Sequence, residues 1–145
     1  MAKELLISLV VELTSSIVGC RILGTFAERI HIWYPILHAD YMDEFLQAIS
    51  TPFQPSVDSC IALLVLAIGS LTGRESISHA HRKFPETIYI QEAENMLPWV
   101  LADSSTRSTQ CLLLFSMYYL CRAQPCQAHD FVAMASHRIQ DTLRK

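Results

Sequence analysis

The apolar residues of this chain recur at intervals of three and four positions, and clusters of glycine, proline, serine or charged residues separate the apolar stretches. This spacing follows the helical period of about 3.6 residues. It predicts helices over residues 3–18, 26–32, 40–49, 57–71, 88–102, 109–121 and 126–143. No stretch alternates strongly enough to predict a strand. We therefore predict an all-α fold in which antiparallel helical hairpins form a partial helical array.

Local signals near the start predict where the early helices begin and end. Gly19 and Gly24 flank a stretch of weak helical character, and Thr25 is suited to cap a short helix after it. Pro35 is expected to stop that helix. Residues 33–34 should be extended, because the residue before proline disfavours the helical conformation.

Later signals predict the remaining boundaries. Ser56 is expected to cap the helix over 57–71. Pro98 should bend or interrupt the helix over 88–102, because proline removes one backbone hydrogen bond and clashes with the preceding turn. The polar stretch 74–87 is predicted to be a loop, and residues 104–108 a hinge.

Two of the predicted helices, 57–71 and 109–121, are apolar on nearly every side and should form the core. The last helix is amphipathic, and its apolar face contains Ala128, Val132, Ala135, Ile139 and Leu143. A domain of this size buries only about two thirds of its unfolded surface. We therefore expect this face to pack on helices absent from this chain or on another chain.

The amino-acid composition excludes some classes of function. Hydrophobic residues make up 51% of the 145 positions and charged residues 17%, with a net charge of −3. Average domains contain about 25% charged residues, so this chain is unusually apolar and does not have the composition of a disordered segment. Its lysines and arginines are scattered, whereas phosphate backbones are bound by clustered positive charge. Direct DNA contact by this segment is not expected.

One alternative to a fold with buried apolar helices is a helical protein associated with a membrane. The apolar run 5–11 is followed at once by Glu12, and the charge-free stretch 60–71 is shorter than the roughly 20 residues that span a bilayer. Buried core helices explain both runs, so we expect no membrane partner. A membrane-associated helical protein remains the alternative, and it requires residues 5–18 or 60–71 to partition into lipid.

Cysteine and histidine residues offer the second alternative, a small helical enzyme that depends on a metal or a thiol. The five cysteines show no C-x-x-C pair, and Cys60, Cys111 and Cys121 lie in apolar runs typical of buried free thiols in a reducing compartment. Candidate ligands are His79 and His81 in the polar stretch, and Cys126 with His129 near Cys121 and His137 on the last helix.

Neither group has the further ligands or the orienting partner that zinc binding or nucleophilic catalysis requires. There is also no serine-hydrolase, metalloprotease or phosphate-loop motif. We predict no catalytic, cofactor-binding or metal-binding residue and no enzymatic activity.

Four strings resemble the regulatory region, often called the middle homology region, of fungal zinc-cluster transcription factors. They are HIWYPILH at 31–38, SVDSC at 56–60 running into the apolar residues 63–69, QCLLLFS at 110–116 continuing to Tyr119, and QPCQAHD at 124–130 continuing through 133–140. The resemblance implies an α-helical array, a nuclear location and a role in transcription by RNA polymerase II. In such factors this region restrains or relays activity, by packing against other segments or by binding a partner or metabolite.

The resemblance also has departures. Family members carry an N-terminal six-cysteine cluster that binds two zinc ions and reads DNA, and no C-x2-C-x6-C pattern occurs here. Zinc and DNA contact are therefore expected only through that absent module, with no cofactor in this chain. We interpret residues 1–24 as an atypical N-terminal helix and 25–145 as the N-terminal part of the regulatory domain. Whether the chain is a fragment, a truncated product or a complete protein stays open.

Overall fold

A computed structural model describes residues 17–50, 55–72 and 85–145 of the chain, with no strand among them. Its helices are α1 (Ile17–Phe26), a π-helical turn (Ala27–His31), α2 (Tyr41–Ser50), α3 (Val57–Thr72), α4 (Pro85–Asn95), α5 (Leu97–Ala102), α6 (Thr106–Cys121) and α7 (Pro125–Arg144). The all-α prediction is confirmed. Most of the helix predicted over 3–18, and most of the loop predicted over 74–87, lie outside the described residues.

Helix α3 is the centre of the fold. Every residue from Val57 to Gly69 except Asp58 is buried, and α1, α2, α4 and α6 all pack against it. A helix that is apolar all round needs protein on every side, and this arrangement supplies it. The prediction that this helix forms the core is confirmed.

The start of α3 is capped as predicted. The Ser56 Oγ accepts a hydrogen bond of 3.1 Å from the backbone N–H of Ser59, one of the donors that the first helical turn leaves without a partner. The Ser56 hydroxyl also lies 3.0 Å from the Ser59 Oγ. At the other end, the Thr72 Oγ1 donates to the carbonyl of Ile68.

The predicted break around the two N-terminal glycines is wrong. Helix α1 runs without interruption through Gly24, and Thr25 lies inside it rather than capping a new helix. A glycine inside a helix costs about 1 kcal/mol relative to alanine. Burial of Leu23 and Phe26 in the core outweighs that cost.

Helix α1 ends in a wider turn. The N–H of Ile32 donates to the carbonyl of Ala27 five positions earlier, which is the π-helical pattern. The N–H groups of Trp33 and Tyr34 then both donate to the Ile30 carbonyl. Residues 33–34 therefore form a turn, so the prediction that they are extended is wrong. The two hydrogen bonds fold the backbone that precedes Tyr34 back onto Ile30.

Pro98 interrupts its helix as predicted. Helix α4 ends at Asn95 and α5 begins at Leu97, with Pro98 in the first turn of α5, where its missing N–H has no partner to lose. The buried positions on the two helices and at the break between them are Tyr89, Ile90, Ala93, Met96 and Val100. The break therefore keeps one apolar stripe turned toward the core.

Helices α6 and α7 form a hairpin. Ser105 caps α6 by accepting from the N–H of Ser108, and the connection to α7 includes Ala123 in the left-handed region, with φ of 57°. The Phe131 ring of α7 stacks on two rings of α6, with centroids 4.8 Å from Phe115 and 5.5 Å from Tyr119. Two long helices joined by a short turn and packed together run antiparallel, which is the predicted hairpin.

Candidate interaction surfaces

The apolar face of α7 is divided between a buried and an exposed part. Ala128 and Ala135 are buried, and their small side chains allow close packing on α6. Val132, Ile139 and Leu143 are exposed, Leu143 by 81%. We call these three residues the outer stripe. The predicted five-residue face is thus partly used inside the chain, and only its outer stripe remains open.

The outer stripe lies beside the buried seam that Ala128 and Ala135 form on the same helix. A rotation of about 100° per residue places Val132 within about 40° of Ala128, and Ile139 within about 40° of Ala135. On α6, Leu120 is exposed, whereas Leu113 and Met117 are partly buried and pack against the core. The open apolar surface of the α6–α7 hairpin therefore lies mainly on α7.

The string at 31–38 forms the turn between α1 and α2. Leu37 is buried, while Ile32, Trp33 and Tyr34 are exposed. The Gln110 Nε2 of α6 donates a hydrogen bond of 3.0 Å to the carbonyl of Ile36. The turn is thus attached to the core from one side and open on the other.

Sequence reasoning missed an ion-pair network on Arg107. Its Nε and Nη2 donate to the Asp58 Oδ1 at 2.9 and 2.6 Å, and its Nη1 donates to the Glu44 Oε2 at 2.6 Å. Burial alone lowers the pKa of Arg107, but the hydrogen bonds and charges of the two carboxylates outweigh it and raise that pKa. One side chain thereby links α2, α3 and α6.

The Arg107 network lies in a polar cleft of about 440 Å³, also lined by Gln47, Ala48, Ser56 and Ser59. All three guanidinium nitrogens of Arg107 already donate to carboxylates, so Arg107 acts as a crosslink between helices.

The sequence contained one signal of this network. A cation in the first turn of a helix opposes the helix dipole, and such a residue favours a carboxylate partner.

Arg138 was also missed. It reaches from α7 to the C-terminal end of α5 and donates to the backbone carbonyls of Leu101 and Asp103. It also donates to the Ser108 Oγ at 3.2 Å. The last carbonyls of a helix lack partners within the helix, so this arginine closes α5 and ties the hairpin to it.

The candidate metal and thiol residues do not form a site in the described part of the chain. Cys121, Cys126 and His129 are exposed, and the His137 Nε2 lies 3.6 Å from the Asp141 Oδ2 on the same helix. Residues 17–50, 55–72 and 85–145 contain no group of three or more metal-binding side chains. His79 and His81 lie outside the described residues.

Two cysteines are buried where α3 meets α6. Cys60 and Cys111 have no exposed surface, and the Cys60 Sγ lies 3.5 Å from the carbonyl of Ala93. Burial, aided by a hydrogen bond with Cys60, raises the pKa of the Cys111 thiol. A neutral thiol is a poor nucleophile. The prediction of buried cysteines is confirmed for these two and wrong for Cys121.

Comparison with known proteins identifies the family. The model of the fungal specific transcription factor domain matches residues 23–143. This chain belongs to that family. It is similar to "Putative transcription factor ecdB" of Aspergillus rugulosus, with 40% identity over 119 residues, which are 82% of this chain and 20% of that relative. No solved structure matches the chain.

The family assignment confirms the resemblance drawn from the four sequence strings. The matched segment of this fungal specific transcription factor domain contains the turn at 31–38, the Arg107 network and most of α7, including Val132, Ile139 and Leu143. Among its described helices, none combines the length and the apolar character needed to cross a bilayer. The chain spans 20% of the length of the ecdB relative.

Proposed function

We propose that this chain acts in the nucleus as a helical regulatory module of a transcription factor, and that it works by helix packing and not by catalysis. Family membership supports the role in transcription regulation. The net charge of −3 and the scattered cations support a function without direct DNA contact. DNA would be reached through a zinc-cluster module outside this chain.

The outer stripe of α7 carries the proposal. Its three residues extend over eleven positions, or about 16 Å of helix, next to the buried seam of Ala128 and Ala135. Three apolar side chains in one line along a helix match the apolar face of a single packed helix. The stripe therefore fits one further helix of the same regulatory domain, packed against the α6–α7 hairpin.

The length of the ecdB relative supports this occupant. The matched residues make up 20% of that protein, so most of its chain lies outside the matched segment. Helices from such a region would complete the apolar contact that α7 begins. The buried thiols and the fully engaged Arg107 support a module without its own reaction.

A tethered reporter tests the role. The chain is fused between a heterologous DNA-binding domain and a strong activation domain, in a host that also expresses the remainder of the regulatory protein, and reporter output is compared with the fusion that lacks the chain. We expect the wild-type chain to change output severalfold. The double variant Ile139→Ser/Leu143→Ser should restore the output seen without it, because the packing surface is lost.

The matched control is Gln140→Ser/Arg144→Ser, which alters exposed polar positions of the same helix. Surface substitutions of this kind usually change stability by less than about 0.5 kcal/mol, and circular dichroism of each purified variant verifies the fold. The control should behave as the wild type. If the stripe variant and the control give the same output, the stripe has no regulatory role.

A further inference from the structure

The turn between α1 and α2 carries a second exposed apolar surface, remote in sequence from the outer stripe. Ile32, Trp33 and Tyr34 are exposed by 68%, 75% and 57%, and they are consecutive. We call these three residues the Trp33 patch. Soluble monomers rarely expose large contiguous apolar surfaces without a function, and tryptophan and tyrosine are enriched among the residues that dominate binding energy.

The backbone of the Trp33 patch is held in place. The N–H groups of Trp33 and Tyr34 donate to the carbonyl of Ile30 at 3.1 and 2.9 Å, and the N–H of Ile36 donates to the carbonyl of Tyr34 at 2.8 Å. Ile30 is itself buried in the core. The three side chains are thus presented from a fixed turn, which reduces the conformational entropy lost on binding.

Side-chain contacts hold the same turn from the core side. The His31 Nε2 lies 3.2 Å from the carbonyl of Leu37, and the His31 ring packs on the Tyr41 ring with centroids 4.3 Å apart. The Gln110 amide binds the neighbouring carbonyl of Ile36. These contacts leave the outward faces of Ile32, Trp33 and Tyr34 without a role in the fold. π-helical turns of this kind are frequent at functional sites.

The surroundings of the Trp33 patch are acidic. Contact between His31 and Tyr41 joins the turn that carries the patch to the first turn of α2, which includes the exposed Asp43, with Asp40 just before it. Glu28 is exposed on the preceding π-helical turn. With Arg29, which is exposed on the same turn as Glu28, these four residues still have a net negative charge. A second copy of the chain would bring like charges together, whereas a basic partner would be attracted.

We propose that the Trp33 patch docks a basic amphipathic helix of a partner protein. The apolar face of that helix would cover Ile32, Trp33 and Tyr34, and its lysine or arginine residues would face Glu28, Asp40 and Asp43. Such a helix would carry its apolar residues at intervals of three and four positions, on one face. The site is separate from the outer stripe and does not depend on it.

Fluorescence tests the proposal directly. The chain contains two tryptophans, so Trp99→Phe leaves Trp33 as the sole indole reporter. The probes are two synthetic helical peptides with the same leucine face, one with lysine and the other with glutamate on the polar face. We expect the lysine peptide to bind saturably with 1:1 stoichiometry, to shift Trp33 emission to shorter wavelength, and to weaken with added salt.

Variants localise the binding. Ile32→Ser/Tyr34→Ser in the Trp99→Phe background should weaken the lysine peptide at least tenfold, while Ile139→Ser/Leu143→Ser should leave it unchanged. The glutamate peptide should bind at least tenfold more weakly than the lysine peptide. No saturable binding, equal binding of both peptides, or equal loss in both variants overturns the proposal. None of these results affects the reporter test of the outer stripe, so the two proposals fail separately.

Discussion

Gly24 and Gly69 lie inside neighbouring helices, α1 and α3, and alanine is expected to affect stability in opposite directions at the two positions. At Gly24 an added Cβ meets nothing within 4 Å. Alanine there removes backbone entropy from the unfolded chain and introduces no clash. Because glycine inside a helix is less favourable than alanine by about 0.5–1 kcal/mol, Gly24→Ala should stabilise the fold by that amount.

At Gly69 the same substitution meets the backbone of α1. The added Cβ would lie 2.6 Å from the carbonyl oxygen of Ile22 and 2.7 Å from its Cγ2. Ordinary contact begins at 3.4 Å, so the carbonyl must move by about 0.8 Å. A backbone atom cannot rotate away as a side chain can, and the shift would loosen Leu23 and Phe26 in the core.

Overpacking of a core costs about 1–3 kcal/mol, while the helix gains about 1 kcal/mol from alanine. Gly69→Ala should therefore lower the free energy of unfolding by up to about 2 kcal/mol. Urea unfolding followed by circular dichroism measures both variants, and each kcal/mol corresponds to about 2–4 °C in Tm for a chain near this size. If Gly69→Ala stabilised the protein as much as Gly24→Ala, the close contact between α1 and α3 would be refuted.

Three further predictions concern buried and paired groups. Burial raises the pKa of Tyr89 to about 12; its stabilising contribution should be complete below about pH 10 and lost as the pH rises toward 12, and Tyr89→Phe should reduce this loss in urea unfolding. Arg107→Gln should lower stability by about 1 kcal/mol, because the carboxylate partners are partly exposed; a loss that stayed the same in about 1 M salt would contradict an ionic origin. Mass spectrometry after native alkylation should find Cys126 labelled and Cys60 and Cys111 unlabelled until denaturant is added; labelling of Cys111 at the rate of Cys126 would revive the thiol-enzyme alternative.

Helices whose burial is decided by their own composition could be predicted from the sequence. The residues of α3 and α6 are apolar nearly all round, so only a central position satisfies them, and their observed bounds differ from the predicted ones by a few residues. The cap at Ser56 and the interruption near Pro98 were predictable because both depend on local backbone chemistry.

Features that depend on distant contacts could not be predicted. Continuity of α1 through Gly24 depends on packing against α3, which outweighs the local glycine penalty. Arg107 pairs with residues 49 and 63 positions earlier in the chain, and no spacing rule connects them. Periodicity identified the apolar face of α7 but could not show that two of its five residues, Ala128 and Ala135, are buried inside the chain.

Photo-crosslinking in fungal cells tests the central claim, that the outer stripe is a packing surface of a regulatory protein. A photoreactive amino acid replaces Ile139, and in a control chain it replaces His137, about 160° away on the same helix. We expect a discrete crosslink from position 139 to a helical segment of the regulatory protein, and none from position 137. Equal crosslinking from both positions, or none from position 139, would contradict it.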